Sequence, residues 1–515
     1  MRFVTALSAT ALSGWLYALA FPPTSWKPLA WVSLVPFFLA LRSVGTGGAL
    51  FLAWFWAVFA SSFVADALPR AVETYFFQPR LASLLFAVFV WSVTGSVYYM
   101  VFAPAYRTLA RHRGISPPLL AAAAWTACEL ARGRLLTGSK LFVGNPWALA
   151  AYSQAGWDEI VQIASVTGVY GITFCIAAVN AGIAEIAVAF GNGLRLPRRV
   201  LVGGVVSLAP AAGALVYGHL ALRSAPHTET GAEVPVAIVQ SNLAVGSQWR
   251  SDAYGANLDE QIRLTWQAVE AGAPRIVFWP ESALTFFLEE EPLYQRAIAR
   301  LLMAADLELV VGGPRVEDPE SPEPAYTNSI FVLDAKGEIR GRYDKQLLGP
   351  VAEYLPLRRF DFLRRRFERV RVFRHGAPSA PLPTRAGPAG VLVCNEAMYP
   401  EVARARAREG ATYLVNPSND TWIQDAVWAD RMFDLVSLRA VEQRRYLVRA
   451  STSGPSAIVD PWGRVLERTP PFERAVVIGR IAPLLDLSVY GRVGDAFAWG
   501  CALAVLAALV LRRSP

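Results

Sequence analysis

The sequence predicts a multi-span α-helical membrane protein carrying a layered α/β domain outside the bilayer. Three observations predict it. Of 515 residues, 54% are hydrophobic and only 17% are charged, against about 25% charged in an ordinary soluble domain. Eight runs approach the roughly 20 apolar residues that a helix needs to cross a hydrocarbon core of about 30 Å. One long stretch, about 230 to 485, breaks that pattern with short, β-rich apolar runs interleaved with helical ones.

The apolar runs lie at 3 to 21, 28 to 43, 48 to 68, 82 to 105, 117 to 132, 161 to 189 and 200 to 222, with a last one at 494 to 511. They define an N-terminal membrane domain over 1–222 with seven spans, a linker over 223–233 and a closing span over 494–511. The first run follows Arg2 and ends in Ala18-Leu19-Ala20, as a signal peptide could. A second apolar run follows directly after Pro22-Pro23, so the first reads as an uncleaved span. In the fifth run Glu129 stands three residues before Arg132, which reads as a pair near the membrane interface rather than a proton relay. Arg2, Arg42, the loops Arg107 to Arg113 and Arg195 to Arg199, and the tail Arg512-Arg513 all fall on one side. The positive-inside rule makes that side the cytoplasm, although Lys27, Arg70, Arg80, Arg132, Arg134 and Lys140 on the other side weaken the bias. The even count of spans then puts both termini inside and the long stretch outside.

Within that stretch, 234–485 forms the second domain. Its strand-like runs are Val236–Val239, Arg275–Trp279, Leu309–Gly312, Ser329–Leu333, Val391–Val393, Tyr413–Val415, Tyr446–Arg449 and Ala475–Ile478. Helical patterns at Leu258–Ala271, Leu293–Ala305, Val402–Glu409 and Arg431–Gln443 separate several of them. Near-continuous apolar strands alternating with helices indicate sheet buried on both faces.

The net charge of +8 does not point to nucleic acid, because the arginines sit beside apolar segments, where they mark cytoplasmic loops or meet anionic headgroups. Cys128, Cys175 and Cys501 lie inside long apolar runs, so no disulfide framework is implied. The four histidines include no His-x-x-x-His pair and there is no Cys-x-x-Cys, which argues against a zinc site.

Cys394, in "VLVCNEAMYP", is the cysteine of the α/β stretch. Alone it reads as a small buried hydrophobe. Two other motifs change its weight. "WPES" ends an apolar strand at a proline and presents Glu281; "YDKQLLGPVAEYLP" carries Lys345 and a second acid, Glu353. No histidine lies near any of the three, so a Cys-His pair is poorly supported. A partly buried carboxylate can take the proton of a thiol in place of histidine, and an adjacent ammonium stabilises both thiolate and oxyanion. Glu, Lys and Cys, in that order and each at a strand end, are together a specific pattern.

These motifs, with "NPSNDTW", resemble the nitrilase, or carbon-nitrogen hydrolase, superfamily and its Glu-Lys-Cys triad. Seven spans before such a domain and one after it resemble the apolipoprotein N-acyltransferases, as do "LAFPP", "WVSLVPFFLALR", "GNPWALAAYSQ", "GVYGITF" and "VQSNL" with Trp249. The resemblance implies a nitrilase-like α-β-β-α sandwich on the outer face of a bacterial inner membrane. It implies that Cys394 attacks a phospholipid ester, typically of phosphatidylethanolamine, and that the resulting thioester passes its acyl chain to the α-amino group of a diacylglyceryl-cysteine apolipoprotein, with ping-pong kinetics. By the same resemblance Glu281 is the general base, Lys345 stabilises the oxyanions, Glu353 orients Lys345, and Trp249 and Glu396 shape the acyl or headgroup site. A monomer is expected, with neither cofactor nor metal, since thioester and amide formation balance without ATP.

The chain also departs from that family. Asn395 follows the nucleophile where an aromatic is usual, Leu347–Glu353 lacks the usual histidine, phenylalanine and glycine of the lysine loop, and Asp430 stands where a histidine is common. These changes put the acceptor and headgroup preference in question and keep open an alternative, a membrane nitrilase-like amidase or an N-acyltransferase for a different amine. The basic and aromatic stretch Leu357–Arg374 reads either as a membrane-lying arm, with Arg364, Arg365 and Arg366 meeting lipid phosphates, or as a solvated surface arm.

Overall fold

A computed structural model of the chain describes residues 2–111, 117–137, 144–191, 197–224, 233–244, 246, 250–317, 320, 324–350, 352–354, 360–361, 365 and 373–511. Trp249 and most of the basic stretch 357–374 lie outside the described residues. The chain divides into two compact units, one made of 1–225 with 493–515 and the other of 226–492.

Among the described residues of the first unit, four helices are long and apolar enough to cross a membrane: Thr46–Val64, Arg80–Leu109, Val169–Gly191 and Arg198–Arg223. Phe3–Leu19 and Ala496–Leu511 are shorter apolar helices. The 28 to 43 run is not one continuous helix. A 3-10 turn at Lys27–Leu29 and helices at Ala30–Ser33 and Val35–Ser43 replace it, because Pro28 and Pro36 cannot donate to a continuous backbone ladder. Buried Asn180 bridges the break, accepting from Leu34 N at 2.8 Å and donating to Ala30 O at 2.9 Å. That side chain supplies hydrogen bonds that the broken helix forfeits. Phe37, Phe38, Trp56, Tyr99, Phe102 and Trp125 form an aromatic core, with Trp56 and Trp125 edge to face at 5.2 Å.

The Glu129 carboxylate is fully buried in this unit. It accepts from Thr173 Oγ1 at 2.7 Å, Ala150 N at 3.0 Å and Trp125 Nε1 at 3.2 Å, tying the helix Pro117–Arg134 to its neighbours.

Among its described residues the second unit contains eleven strands: β1 Val234–Gln240, β2 Ile276–Phe278, β3 Glu308–Glu317, β4 Ala325–Leu333, β5 Ile339–Asp344, β6 Ala389–Val391, β7 Tyr413–Ser418, β8 Leu447–Ser451, β9 Ala457–Val459, β10 Val465–Arg468 and β11 Ala475–Ile481. They form a six-stranded sheet ordered β11-β1-β2-β3-β4-β5 and a five-stranded sheet ordered β10-β9-β8-β7-β6. The pairs β1–β2, β2–β3, β6–β7 and β7–β8 are parallel; antiparallel strands close both sides of the six-stranded sheet and one side of the five-stranded sheet, whose other edge is β6. Ile238, Phe278, Val310 and Ile330 of the first sheet share one buried cluster with Val391, Tyr413, Val415 and Val448 of the second. On its other face the first sheet buries Val277, Leu309 and Val311 against Leu264, Ala268, Ile298 and Leu302 of the helices Tyr254–Gly272 and Pro292–Ala305. Helices Pro400–Arg408 and Ala426–Gln443 follow β6 and β7. The α/β domain is therefore two sheets face to face, clad in helices, and near-continuous apolar strands are what a doubly covered sheet requires.

Candidate active site

Each of the three expected residues stands just beyond the end of a strand in the second unit. Glu281 follows β2. The turn Trp279-Pro280-Glu281 crosses β3 closely, with Gly312 N donating to Pro280 O at 3.2 Å. A Cβ on Gly312 would fall 2.5 Å from the Glu281 Cα, so only glycine lets the strand pass there. Lys345 follows β5, its backbone pinned by Lys345 N to Asn328 O at 2.8 Å and Gly376 N to Lys345 O at 2.8 Å. Cys394 opens the 3-10 turn Cys394–Met398 with φ of +48°. That left-handed conformation costs a non-glycine residue on the order of 1–3 kcal/mol and persists only where the surroundings impose it. Here Asn416 imposes it, its Nδ2 donating to Leu392 O at 2.6 Å and to Cys394 O at 3.2 Å.

The Glu281, Lys345 and Glu353 side chains meet in a buried cluster. Lys345 Nζ lies 3.2 Å from Glu281 Oε1 and 2.9 Å from Glu353 Oε2. Asn328 Nδ2 bridges the two acids, donating to Glu281 Oε1 at 2.7 Å and Glu353 Oε1 at 2.8 Å. Asn419 N donates to Glu281 Oε2 at 2.9 Å and Gly349 N to Glu353 Oε2 at 2.7 Å. All three charged groups are at most 8% exposed.

Burial raises the Glu281 carboxyl above the usual glutamate range, and Glu353 adds to the rise, while Lys345 and Asn328 oppose it. Burial works to lower the Lys345 ammonium, yet Glu281 and Glu353 outweigh it and hold the group well above the ordinary lysine value. Desolvation also lifts the Cys394 thiol far up; Glu281 lifts it further and Lys345 opposes. A thiol so placed is protonated at neutral pH and reacts only if a base removes its proton as it attacks.

Glu396 joins the lysine loop to the nucleophile turn. It is fully buried, and its carboxylate accepts from Tyr343 OH at 2.9 Å, Gln346 N at 2.7 Å, Leu347 N at 3.0 Å and Val393 N at 2.8 Å. It thus clamps the lysine loop to the nucleophile turn. Asn395 Nδ2 reinforces that clamp through Leu347 O at 3.2 Å. Asp430 stands apart, paired with Arg468. Asn328, Asn416 and Asn419 escaped the sequence reading; the motif "NPSNDTW" holds two of them, but nothing local marks which acid they serve. Among the described residues no three His, Cys, Asp or Glu side chains gather as a metal-ligand set.

Comparison with known proteins fits both halves of the chain. A family model described as carbon-nitrogen hydrolase matches residues 235–485, and one described as apolipoprotein N-acyltransferase N-terminal domain matches 13–182. An apolipoprotein N-acyltransferase of Geobacter metallireducens is 34% identical over 514 residues, covering 98% of this chain and 94% of that protein. The chain belongs to the apolipoprotein N-acyltransferase family. An apolipoprotein N-acyltransferase of Pseudomonas aeruginosa is 30% identical over 498 residues, covering 94% and 91%. A solved carbon-nitrogen hydrolase from Helicobacter pylori G27 aligns with 53% of this chain and 94% of its own at 16% identity and a TM-score of 0.37. As a member of the apolipoprotein N-acyltransferase family the chain is an acyltransferase, and its α/β unit is the carbon-nitrogen hydrolase domain.

Proposed function

We propose that this enzyme moves an acyl chain from a membrane phospholipid, phosphatidylethanolamine by preference, to the α-amino group of the diacylglyceryl-cysteine of an apolipoprotein, through a thioester on Cys394. The observation that carries this reading is one buried Lys345 ammonium held between Glu281 and Glu353, with Cys394 in the electrostatic reach of Glu281 and Lys345. Glu281 takes the thiol proton as sulfur attacks the ester carbonyl carbon. The carbonyl oxygen becomes an oxyanion that Lys345 stabilises, and Glu353, which does not touch the reacting atoms, holds Lys345 in line. Collapse breaks the ester C–O bond, and the departing lysophospholipid oxygen takes the proton back from Glu281.

The apolipoprotein amine then attacks the thioester carbonyl. Glu281 takes the proton that this nitrogen sheds, the C–S bond breaks, and the proton returns to the Cys394 sulfur. Binding the two substrates in turn at one thiol gives ping-pong kinetics. The positive-inside pattern of the spans supports an outward-facing catalytic unit, where a bacterial lipoprotein would present its N-terminus.

The test is an acyl adduct. Full-length protein incubated with acyl-labelled phosphatidylethanolamine and quenched should carry hydroxylamine-sensitive label that vanishes in Cys394→Ala and chases onto a diacylated lipopeptide. Glu281→Gln and Lys345→Ala should each abolish labelling while the melting profile persists. Normal labelling in either variant rejects the role assigned to that residue, and label that never reaches the lipopeptide rejects the acceptor.

A further inference from the structure

A buried arginine ties the lysine loop to the helix that follows the nucleophile turn. Helix Pro400–Arg408 carries arginines at 404, 406 and 408, and of the three only Arg406 is buried, at 3% exposed. Gly390 in β6 makes room for it, since a Cβ there would fall 2.9 Å from the Arg406 Cβ. Among the described residues its one ion pair is with Glu409 at 2.8 Å, a carboxylate whose side chain is 41% exposed. An ion pair open to solvent contributes little, whereas taking a guanidinium out of water is costly. Stability therefore does not account for the buried position.

The other end of the guanidinium accounts for it. Arg406 Nη2 donates to Tyr343 OH at 2.9 Å and to Gln346 Oε1 at 2.9 Å. Tyr343 stands on β5 two residues before Lys345, and Gln346 is the residue after it. The Tyr343 hydroxyl in turn donates to Glu396 at 2.9 Å, and Glu396 accepts from Gln346 N at 2.7 Å and Leu347 N at 3.0 Å. A cation at one end and a carboxylate at the other polarise the hydroxyl between them, which strengthens both bonds. Two arms thus leave one nitrogen and meet again at Gln346, one on its side chain and the other, by way of Tyr343 and Glu396, on its backbone. We propose that Arg406 is a positioning residue for Lys345: through these two arms it fixes the start of the loop whose far end grips the ammonium. That far end is Glu353, with Oε2 2.9 Å from Lys345 Nζ and also accepting from Gly349 N of the same loop at 2.7 Å. Arg406 itself touches no reacting atom; a loop released at Gln346 carries Glu353, and with it the ammonium, out of line.

This inference rests on Lys345 acting in acyl transfer, and the experiment separates the two. Full-length protein in mixed micelles of detergent and acyl-labelled phosphatidylethanolamine is assayed for transfer to a diacylated lipopeptide. Amide exchange of the lysine loop, read by mass spectrometry, and the melting temperature are followed in parallel. Arg406→Met keeps the apolar stem and removes the donors. It should speed exchange at Gln346 and Leu347 and lower kcat by about 10- to 100-fold, as a displacement of up to roughly 1 Å at a reacting group does. KM for the phospholipid should stay as it is, the mark of an interaction realised in the transition state. Arg406→Lys should recover most of kcat, because both arms leave one nitrogen and an ammonium can serve them. Tyr343→Phe and Gln346→Ala each remove one arm, and in the variant carrying both, Arg406→Met should cost nothing further, since members of one network do not add. An arginine that served stability alone would lower the melting temperature and leave kcat unchanged well below it. That result, faster exchange with an unchanged kcat, or losses that add in full overturns the proposal. Should Arg406→Met not fold, Tyr343→Phe and Gln346→Ala decide, and a full kcat in both overturns it. Normal transfer in Lys345→Ala rejects the acyl-transfer role of Lys345 instead, whereas normal transfer in Arg406→Met beside an inactive Lys345→Ala rejects this inference alone.

Discussion

Asn328 touches both carboxylates that hold Lys345, and the two acids pull the chemistry in opposite directions. Its amide stabilises ionised Glu281, whereas the negative charge of Glu353 opposes that ionisation. Because the Glu281 pKa is raised, the carboxylate needed as base is lost at a higher pH than an ordinary glutamate would lose it. The acid limb of the kcat/KM profile should therefore fall above about 4.3, the unperturbed value. Asn328→Ala should move that limb to still higher pH, and Glu353→Gln should move it lower while reducing the plateau, since Lys345 loses an anchor. A limb that does not move in either variant would show that another group sets the profile. Glu281 and Cys394 were legible in the sequence because each stands at the end of an apolar strand, and Lys345 because its motif falls between theirs. Asn328 and Asn419 were not, since their meaning arises only when positions 47 and 138 residues from Glu281 fold onto it.

At the scale of the element, strand crossing rather than side-chain choice aims the base. Gly312 in β3 and the Trp279-Pro280-Glu281 turn approach so closely that an added Cβ would meet Glu281 Cα at 2.5 Å and Pro280 O at 2.7 Å. Both are backbone atoms and cannot swing aside. Gly312→Ala should cost about 1–3 kcal/mol of stability, as overpacking does. It should cut kcat/KM by about 100-fold, as a roughly 1 Å misplacement of a reacting group does. Activity that tracks the stability loss alone, measured by thermal melts beside rates, would rule out a placement role. The same elements show where sequence patterning stops. Eight strands were legible from buried apolar runs, but β5, β9 and β10 were not. Ile339–Asp344 carries three charges in six residues, Ala457–Val459 is only three residues long, and all of Val465–Arg468 is exposed. Strands at or beside a sheet side need polar faces and little length, so they leave no apolar run to find. The broken helix at 27–43 was missed for the converse reason: its composition is mostly apolar, so Pro28 and Pro36 were passed over, and Asn180, far along the chain, bonds the backbone where the helix breaks.

Considered as a whole molecule, the chain keeps the Glu281, Lys345 and Cys394 cluster and its longest apolar helices in separate units. The unit 226–492 is continuous in sequence, and its two sheets and flanking helices bury their own cores. Every group assigned a chemical role, from Glu281 through Lys345 and Glu353 to Cys394, is held by hydrogen bonds from within that unit. A core of this kind, built on parallel pairs covered on both faces, is stable without help from a bilayer. Residues 226–492 expressed alone should therefore melt in one cooperative transition by circular dichroism, and iodoacetamide should alkylate Cys394 at the rate seen in the full chain. On the proposed reaction, acyl transfer from phospholipid in vesicles should fall by orders of magnitude, because the fragment is no longer tethered to a membrane and the effective concentration gained by tethering is lost. Transfer from a short-chain, water-soluble phospholipid should survive far better. A fragment that melts without cooperativity would show that the catalytic unit depends on the helices for its fold, and one that acylates from vesicles at the full-length rate would show that the helices serve something other than donor access.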